Sequence, residues 1–136
     1  MAFENTYCLD YVSEKLYRSL LYDMIPIVYG KVNYTAYSPE HSVIDILDFP
    51  NPKVLADYLL YLVENPVMYS RYFQWKKTFA IIQSRTEIFA HAFCRLCEIL
   101  HDTNYAYRDY RNISAWWLEE TCELGFMMKF RKNHHW

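Results

Sequence analysis

The fold is decided by residues 10–30, which read DYVSEKLYRSLLYDMIPIVYG. Apolar residues recur every four positions from Val12 to Met24, and this spacing predicts a helix that Asp10 caps. Residues 25–30 are apolar, with a proline near the start and a glycine at the end, as in a buried strand. A helix followed at once by a strand is half of an α/β unit. The strand that should precede the helix is barely present in the sequence, so we expect the chain to begin inside a βαβ unit.

The same alternation continues downstream. Residues 42–46 alternate like a short strand, and Asn51 followed by Pro52 predicts the N-cap and first residue of a second helix. Three further helical stretches are predicted: one from Pro66, one from Arg85 to His101 and one from Ile113 to Cys122. Alternating strands and helices indicate an α/β fold with a Rossmann-like parallel sheet. We expect one domain over residues 1–122 and a C-terminal tail over residues 123–136.

Composition excludes two common kinds of ligand site. The 14 basic and 16 acidic side chains are scattered and leave a net charge of -2, so no nucleic-acid surface is predicted. The chain has only two glycines, Gly30 and Gly125, which excludes a glycine-rich phosphate loop. A nucleotide would therefore have to be bound by side chains and a helix end.

Signals of cellular compartment point in two directions. No apolar run approaches the roughly 20 residues that a membrane span needs, and the first residues have no signal-peptide pattern. By contrast, two glycosylation sequons, at Asn33 and Asn112, and the cysteine pair Cys94 and Cys97 favour a secretory compartment.

The candidate ligand site lies in the first fifteen residues. Glu14 and Lys15 fall in the first turn of a helix that follows a strand, where α/β folds bind anions. Lys15 would add a point charge for a diphosphate, and Glu14 would accept hydrogen bonds from sugar hydroxyls. The spacing alone favours a plainer alternative, an ordinary amphipathic helix on which Glu14 and Arg18 form a solvated pair.

Two segments in this region resemble the donor-binding signature of the α-1,3/4-fucosyltransferases. They are Phe3-Glu4-Asn5 and Asp10-Tyr11-Val12-Ser13-Glu14-Lys15, in which Ser13 replaces the usual threonine. The resemblance continues in the family's order through residues 26–30, 33–34, 42–45, 48–49, 58–62, 72–75, 93–97 and 114–117. It therefore covers the chain from residue 1 to about residue 117.

The resemblance implies a function. It implies the carboxy-terminal lobe of a two-lobed GT-B glycosyltransferase that transfers fucose from GDP-fucose to N-acetylglucosamine of glycoprotein glycans. GDP-fucose is then a substrate, and neither a cofactor nor a metal is expected. Carried over by position, Asn5 and Tyr11 hydrogen-bond the donor near its diphosphate and fucose. Glu14 holds sugar hydroxyls of the nucleotide, and Lys15 offsets the charge of the diphosphate.

The rest of the reaction is expected to lie outside this chain. In the family the catalytic base belongs to the amino-terminal lobe, which also contacts the glycan acceptor, and a separate N-terminal anchor holds the protein in the Golgi membrane. We therefore name no catalytic residue and expect this chain alone to be inactive. Two alternatives stay open: a non-catalytic GDP-fucose-binding or interaction module, and a lobe that does not fold stably alone.

Cys94 and Cys97 are of a residue type that can bind a metal, act as a redox pair or form disulfides. Cys94 and Cys97 lie near His91 and His101, but a helix would spread these residues over about 15 Å, too far for one zinc ion. The pair also lies within a helix, whereas redox pairs lie at helix starts. The resemblance implies structural disulfides from Cys94 and Cys97 to cysteines elsewhere in the lumenal domain. Cys8 and Cys122 are unassigned, and buried thiols are one interpretation of them.

Overall fold

A sheet of three parallel strands forms the centre of the computed structural model, which describes residues 1–106 and 109–123. The strands are β1 (Ala2–Phe3), β2 (Ile27–Tyr29) and β3 (Ile44–Asp45), in the order β1-β2-β3. Ala2 lies opposite Val28, and Ile27 lies opposite Ile44. Parallel strands joined through helical segments confirm the α/β class.

Five helices accompany the sheet in the described part of the chain. They are α1 (Glu14–Leu20), α2 (Pro52–Glu64), α3 (Pro66–Arg71), α4 (Arg85–His101) and α5 (Ile113–Ala115), which continues as a π-helical segment, Trp116–Thr121. Short 3₁₀ turns cover Tyr34–Ala36, Ile46–Asp48 and Gln74–Lys77. The predicted start of α2 is confirmed, because the Asn51 side chain accepts a hydrogen bond from the Val54 amide at 3.0 Å. The predicted bounds of α4 are also confirmed.

Helices cover both faces of the sheet because successive side chains of a strand point to opposite sides. Val28 is fully buried in one apolar cluster, together with Leu16 and Leu20 of α1. The next residue, Tyr29, belongs to a second cluster, together with Leu55 and Leu62 of α2. The central strand β2 therefore anchors α1 on one face and α2 on the other.

The predicted bounds of the first helix were wrong at both ends. Ser13, and not Asp10, is the N-cap of α1, and the helix ends at Leu20. Asp10 has a φ of 56°, so its backbone turns in the left-handed region four residues before the helix begins at Glu14. Ser13 caps instead because the Glu4 carboxylate accepts hydrogen bonds from both its amide and its hydroxyl. At the other end, Met24 is 54% exposed and lies outside the apolar face.

The strands and the third helix are shorter than predicted. β2 contains three residues and β3 contains two. They are short because β2 pairs with β1 through only two residues and with β3 through only two residues. α3 ends at Arg71, and a 3₁₀ turn follows that buries Trp75. α4 forms as predicted, but none of its described residues is buried.

Candidate functional site

The candidate site lies where the chain leaves the carboxyl ends of β1 and β2. Residues 4–13 form a long loop after β1, and Gly30 and Lys31 follow β2 directly. The loop returns to the sheet edge at Leu9, which pairs with Lys31, and the Asp10 amide donates to the Lys31 carbonyl at 3.0 Å. This edge of a parallel sheet is where α/β folds bind ligands.

Lys15 lies at the centre of a polar cluster at this edge. Its ammonium donates a hydrogen bond to Oδ1 of Asn5 and lies 3.5 Å from Oε2 of Glu4. The Lys15 side chain remains 33% exposed, whereas the Glu4 side chain is only 2% exposed. The structure thus brings together two of the four predicted donor residues, Asn5 and Lys15, and presents a fixed cation to solvent.

Glu14 is the first residue of α1 and is exposed. The prediction that Glu14 forms a solvated ion pair with Arg18 was wrong, because the two side chains form no ion pair in the described structure. α1 has only seven residues, so its dipole adds less to anion binding than the sequence predicted. The positive character of the site therefore comes mainly from the Lys15 ammonium.

Tyr11 packs against a segment from the far end of the described chain. Its ring lies 6.1 Å from the Trp117 ring in an edge-to-face arrangement, centroid to centroid. The predicted site residue Tyr11 is therefore half-buried beside Trp117. Residue spacing could not reveal this contact, because 106 positions along the chain separate Tyr11 from Trp117.

A disulfide holds this distant segment in place. Cys8 bonds to Cys122, and the flanking backbone pairs through Leu9 N to Thr121 O at 2.8 Å and Glu123 N to Tyr7 O at 2.9 Å. Lys31 and Glu123 add an ion pair at 2.7 Å. Cys8 and Cys122, which the sequence left unassigned, are therefore partners, and the simple-thiol interpretation was wrong for both.

Gly30 allows close packing directly behind this cluster. A Cβ atom at this position would lie 2.8 Å from the Tyr34 hydroxyl oxygen and 3.6 Å from Cγ of Glu4. Any larger residue would displace the Tyr34 ring, which is buried in the core. Burial raises the pKa of Tyr34, and the nearby Asp45 and Glu4 charges raise it further. The Tyr34 hydroxyl thus remains protonated at physiological pH.

Asp45 lies at the end of β3 and lines a cavity of about 310 Å³, together with Asn33 and Tyr34. Burial raises the pKa of Asp45 to about 6, and the Asp48 charge adds to this, against a hydrogen bond from the Leu47 amide that lowers it. A larger cavity, about 690 Å³, lies beside α2 and α3 and is lined by none of the four predicted donor residues. Neither cavity was predicted.

Replacing Asp45 with asparagine tests this pKa. In the native chain the folded state binds more protons than the unfolded state between about pH 4 and 6, because the pKa of Asp45 is raised to about 6 from 3.8. Stability contributed by this group is therefore lost as pH rises through that interval. Asparagine removes the charge and keeps an oxygen to accept from Leu47 N, 2.9 Å away. We expect equal stability near pH 4 and a more stable variant at pH 7.5, measured by urea denaturation.

The exposed Asp57→Asn variant is the control for that experiment and should show no such dependence on pH. An Asp45→Asn protein less stable than the unmodified chain at pH 7.5 would contradict the assignment.

Comparison with known proteins shows the family of this chain. A family model described as glycosyltransferase family 10 (fucosyltransferase), C-terminal part, matches residues 1–116. The chain belongs to glycosyltransferase family 10. The matched residues include the whole loop after β1 and the start of α1, which confirms the resemblance seen in the sequence.

Curated relatives of this family 10 chain carry names of the same kind. It is 37% identical over 119 residues to the Alpha-(1,3)-fucosyltransferase 4 of Homo sapiens, an alignment of 85% of the chain and 22% of that protein. It is 36% identical over 126 residues to the Alpha-(1,3)-fucosyltransferase C of Drosophila melanogaster, an alignment of 91% of the chain and 28% of that protein. The chain thus spans about a quarter of the length of these relatives.

The cysteine pair and the two sequons of the family 10 chain lie at its surface. Cys94 and Cys97 are exposed free thiols on α4, and their pairing with cysteines elsewhere stays a prediction. The sequon residues Asn33 and Asn112 are both exposed, and their glycosylation also stays a prediction. The predicted tail, apart from Glu123, lies outside the described residues.

Within residues 1–106 and 109–123, no group of three or more His, Cys, Asp or Glu side chains is arranged to hold a metal ion. In the same residues, no helix has the length and hydropathy to span a bilayer.

Proposed function

We propose that this chain is the donor-binding lobe of an α-1,3-fucosyltransferase with a GT-B architecture, and that it binds GDP-fucose at the loop after β1. The observation that carries the proposal is the Lys15 ammonium, fixed beside Asn5 and Glu4 and still 33% exposed at the carboxyl edge of the sheet. Membership of glycosyltransferase family 10 supports the choice of a fucose donor.

In such a transfer, the bond between the fucose anomeric carbon and the diphosphate oxygen breaks as an acceptor hydroxyl attacks from the opposite face. Negative charge then grows on the departing GDP. A fixed ammonium compensates that charge without reorganising, and this lowers the barrier. Lys15 fits this role because Glu4 and Asn5 hold its Nζ atom before any ligand binds.

The other three predicted residues have complementary chemistry. Asn5 uses its carbonyl oxygen on Lys15, so its amide group remains a donor for a phosphate or fucose oxygen. Tyr11 offers a hydroxyl from a ring that Trp117 orients. Glu14 presents an exposed carboxylate that accepts hydrogen bonds from ribose hydroxyls.

The acceptor, N-acetylglucosamine of a glycoprotein glycan, and the catalytic base are proposed to come from a second lobe. The proposed compartment is the Golgi lumen. The disulfide between Cys8 and Cys122 supports an oxidising compartment, since such bonds are rare in the cytosol. The exposed sequons at Asn33 and Asn112 agree with it.

Calorimetry with GDP, GDP-fucose and GMP tests the proposal on the chain as it stands. We expect GDP to bind about tenfold more tightly than GMP, because GMP lacks the second phosphate that Lys15 would contact. We also expect no transfer of fucose to a glycan acceptor. A well-folded chain that binds neither GDP nor GDP-fucose would refute the donor site. Binding of both with no role in any active transferase would favour the non-catalytic module.

A further inference from the structure

Glu4 is a buried carboxylate whose two oxygens are both engaged. Oε1 accepts from the Ser13 amide at 2.9 Å, and Oε2 accepts from the Ser13 hydroxyl at 2.7 Å. Oε2 also lies 3.5 Å from Nζ of Lys15. With 2% of its side chain exposed, Glu4 is held in one position, and burial of a charge at such a site is tolerated only with partners of this kind.

The backbone fixes the carboxylate as firmly as the side-chain contacts do. Glu4 follows β1 directly, and its amide donates to the Tyr29 carbonyl of the central strand at 3.1 Å. Its Cγ atom passes 3.6 Å from the space left open at Gly30. The position of Glu4 is therefore set by the sheet and transmitted to residues 13 and 15.

The Glu4 carboxylate has two opposite effects on the affinity of the site for an anionic ligand. The negative charge of Glu4 near Lys15 weakens the attraction of the site for a diphosphate. The same carboxylate holds the ammonium and, through Ser13, the first residues of α1 in place before a ligand arrives. Pre-organisation lowers the entropy cost of binding.

We propose that Glu4 is a positioning residue for the donor diphosphate, acting through Lys15, and that its positioning effect exceeds its charge repulsion. The proposal rests on the function proposed above. It assigns to Glu4 no contact with the substrate. Because Asn5 and Glu4 engage two of the three N–H groups of the ammonium, one N–H group is left to donate a hydrogen bond to a phosphate oxygen.

The Glu4→Gln variant separates the positioning effect from the charge repulsion, because the two predict opposite changes in the Kd for GDP. Glutamine keeps an oxygen to accept from Ser13, removes the negative charge and loses the attraction that holds Lys15. We expect the Kd for GDP, measured by calorimetry, to rise about tenfold. A Kd that stays the same or falls would overturn the proposal, because charge repulsion alone predicts tighter binding. Glu64→Gln, an exposed carboxylate at the end of α2, is the matched control and should leave the Kd unchanged.

A double-mutant cycle with Lys15→Ala distinguishes positioning from general structural support. If Glu4 acts through Lys15, Glu4→Gln should change the Kd by less than about twofold in the Lys15→Ala background. A tenfold effect that persists there would mean that Glu4 supports the fold only, and would refute the proposal. Should Glu4→Gln fail to fold, Glu4→Asp replaces it. Aspartate keeps the charge on a side chain one methylene shorter, and we expect it also to weaken GDP binding.

The same data separate this inference from the proposed function. A folded wild-type chain that does not bind GDP, or that binds it equally well after Lys15→Ala, contradicts the donor site itself. Wild-type binding that is lost in Lys15→Ala and retained in Glu4→Gln contradicts only the role of Glu4.

Discussion

Replacing Cys122 with serine is expected to lower the free energy of unfolding by about 4 kcal/mol. The disulfide from Cys8 to Cys122 joins residues 114 positions apart, and cross-linking so long a loop removes much of the entropy of the unfolded chain. The bond also holds the Trp117 segment against the loop of the proposed donor site. Its loss should therefore reduce stability and loosen the surroundings of Tyr11.

Guanidinium denaturation of the oxidised variant and the oxidised native chain measures this difference. The matched control is the Cys94→Ser, Cys97→Ser double variant, because both residues are exposed free thiols on α4. It should change the free energy of unfolding by no more than about 0.5 kcal/mol. Equal midpoints for Cys122→Ser and the native chain would contradict the contribution assigned to the disulfide. Recovery of a Cys8–Cys122 peptide from an unreduced digest would establish the pairing directly.

Replacing Lys15 with alanine is expected to raise the Kd for GDP by about 30-fold, equivalent to about 2 kcal/mol. The variant removes the charge that the proposed function places against the diphosphate. It also leaves the buried Glu4 carboxylate without its cation, so the chain should become less stable. Calorimetry gives the Kd, and thermal unfolding shows whether the variant remains folded.

Lys53→Ala is the matched control for this experiment. Lys53 is a highly exposed lysine that forms a surface ion pair with Asp57 on α2, far along the chain from the donor loop. Its removal should change neither the Kd nor the stability appreciably. The assignment of Lys15 fails if both lysine variants bind GDP with the affinity of the native chain. Raising the salt concentration should weaken GDP binding to the native chain more than to Lys15→Ala.

Local sequence signals predicted the elements that depend on near neighbours. The Asn51 and Pro52 pair gave the start of α2, and the 85–101 pattern gave α4, because caps and apolar stripes act over one or two turns. The same reasoning placed the cap of α1 at Asp10. It failed there because a residue outside the helix, Glu4, stabilises Ser13 as the cap.

The resemblance indicated the proposed donor residues, and the structure showed how they are arranged. Spacing alone favoured a surface pair between Glu14 and Arg18 over any ligand site. The motif that resembles the fucosyltransferases indicated Asn5, Tyr11, Glu14 and Lys15, because a motif specifies residue types in order whereas spacing specifies only which residues share a helix face. Neither approach predicted Glu4 as the partner of Lys15 or Trp117 as the neighbour of Tyr11.

By itself the sequence determined the α/β class and the family, and it indicated where the proposed donor loop lies. The class follows from local periodicity, and the other two follow from a resemblance that runs in order from residue 1 to about residue 117. The tertiary structure alone decided the bond between Cys8 and Cys122, the burial of Glu4 and the packing of Tyr11 on Trp117. Those contacts depend on how the sheet edge folds the loop after β1 against residues far along the chain. A pattern along the sequence carries no information about such distances in space.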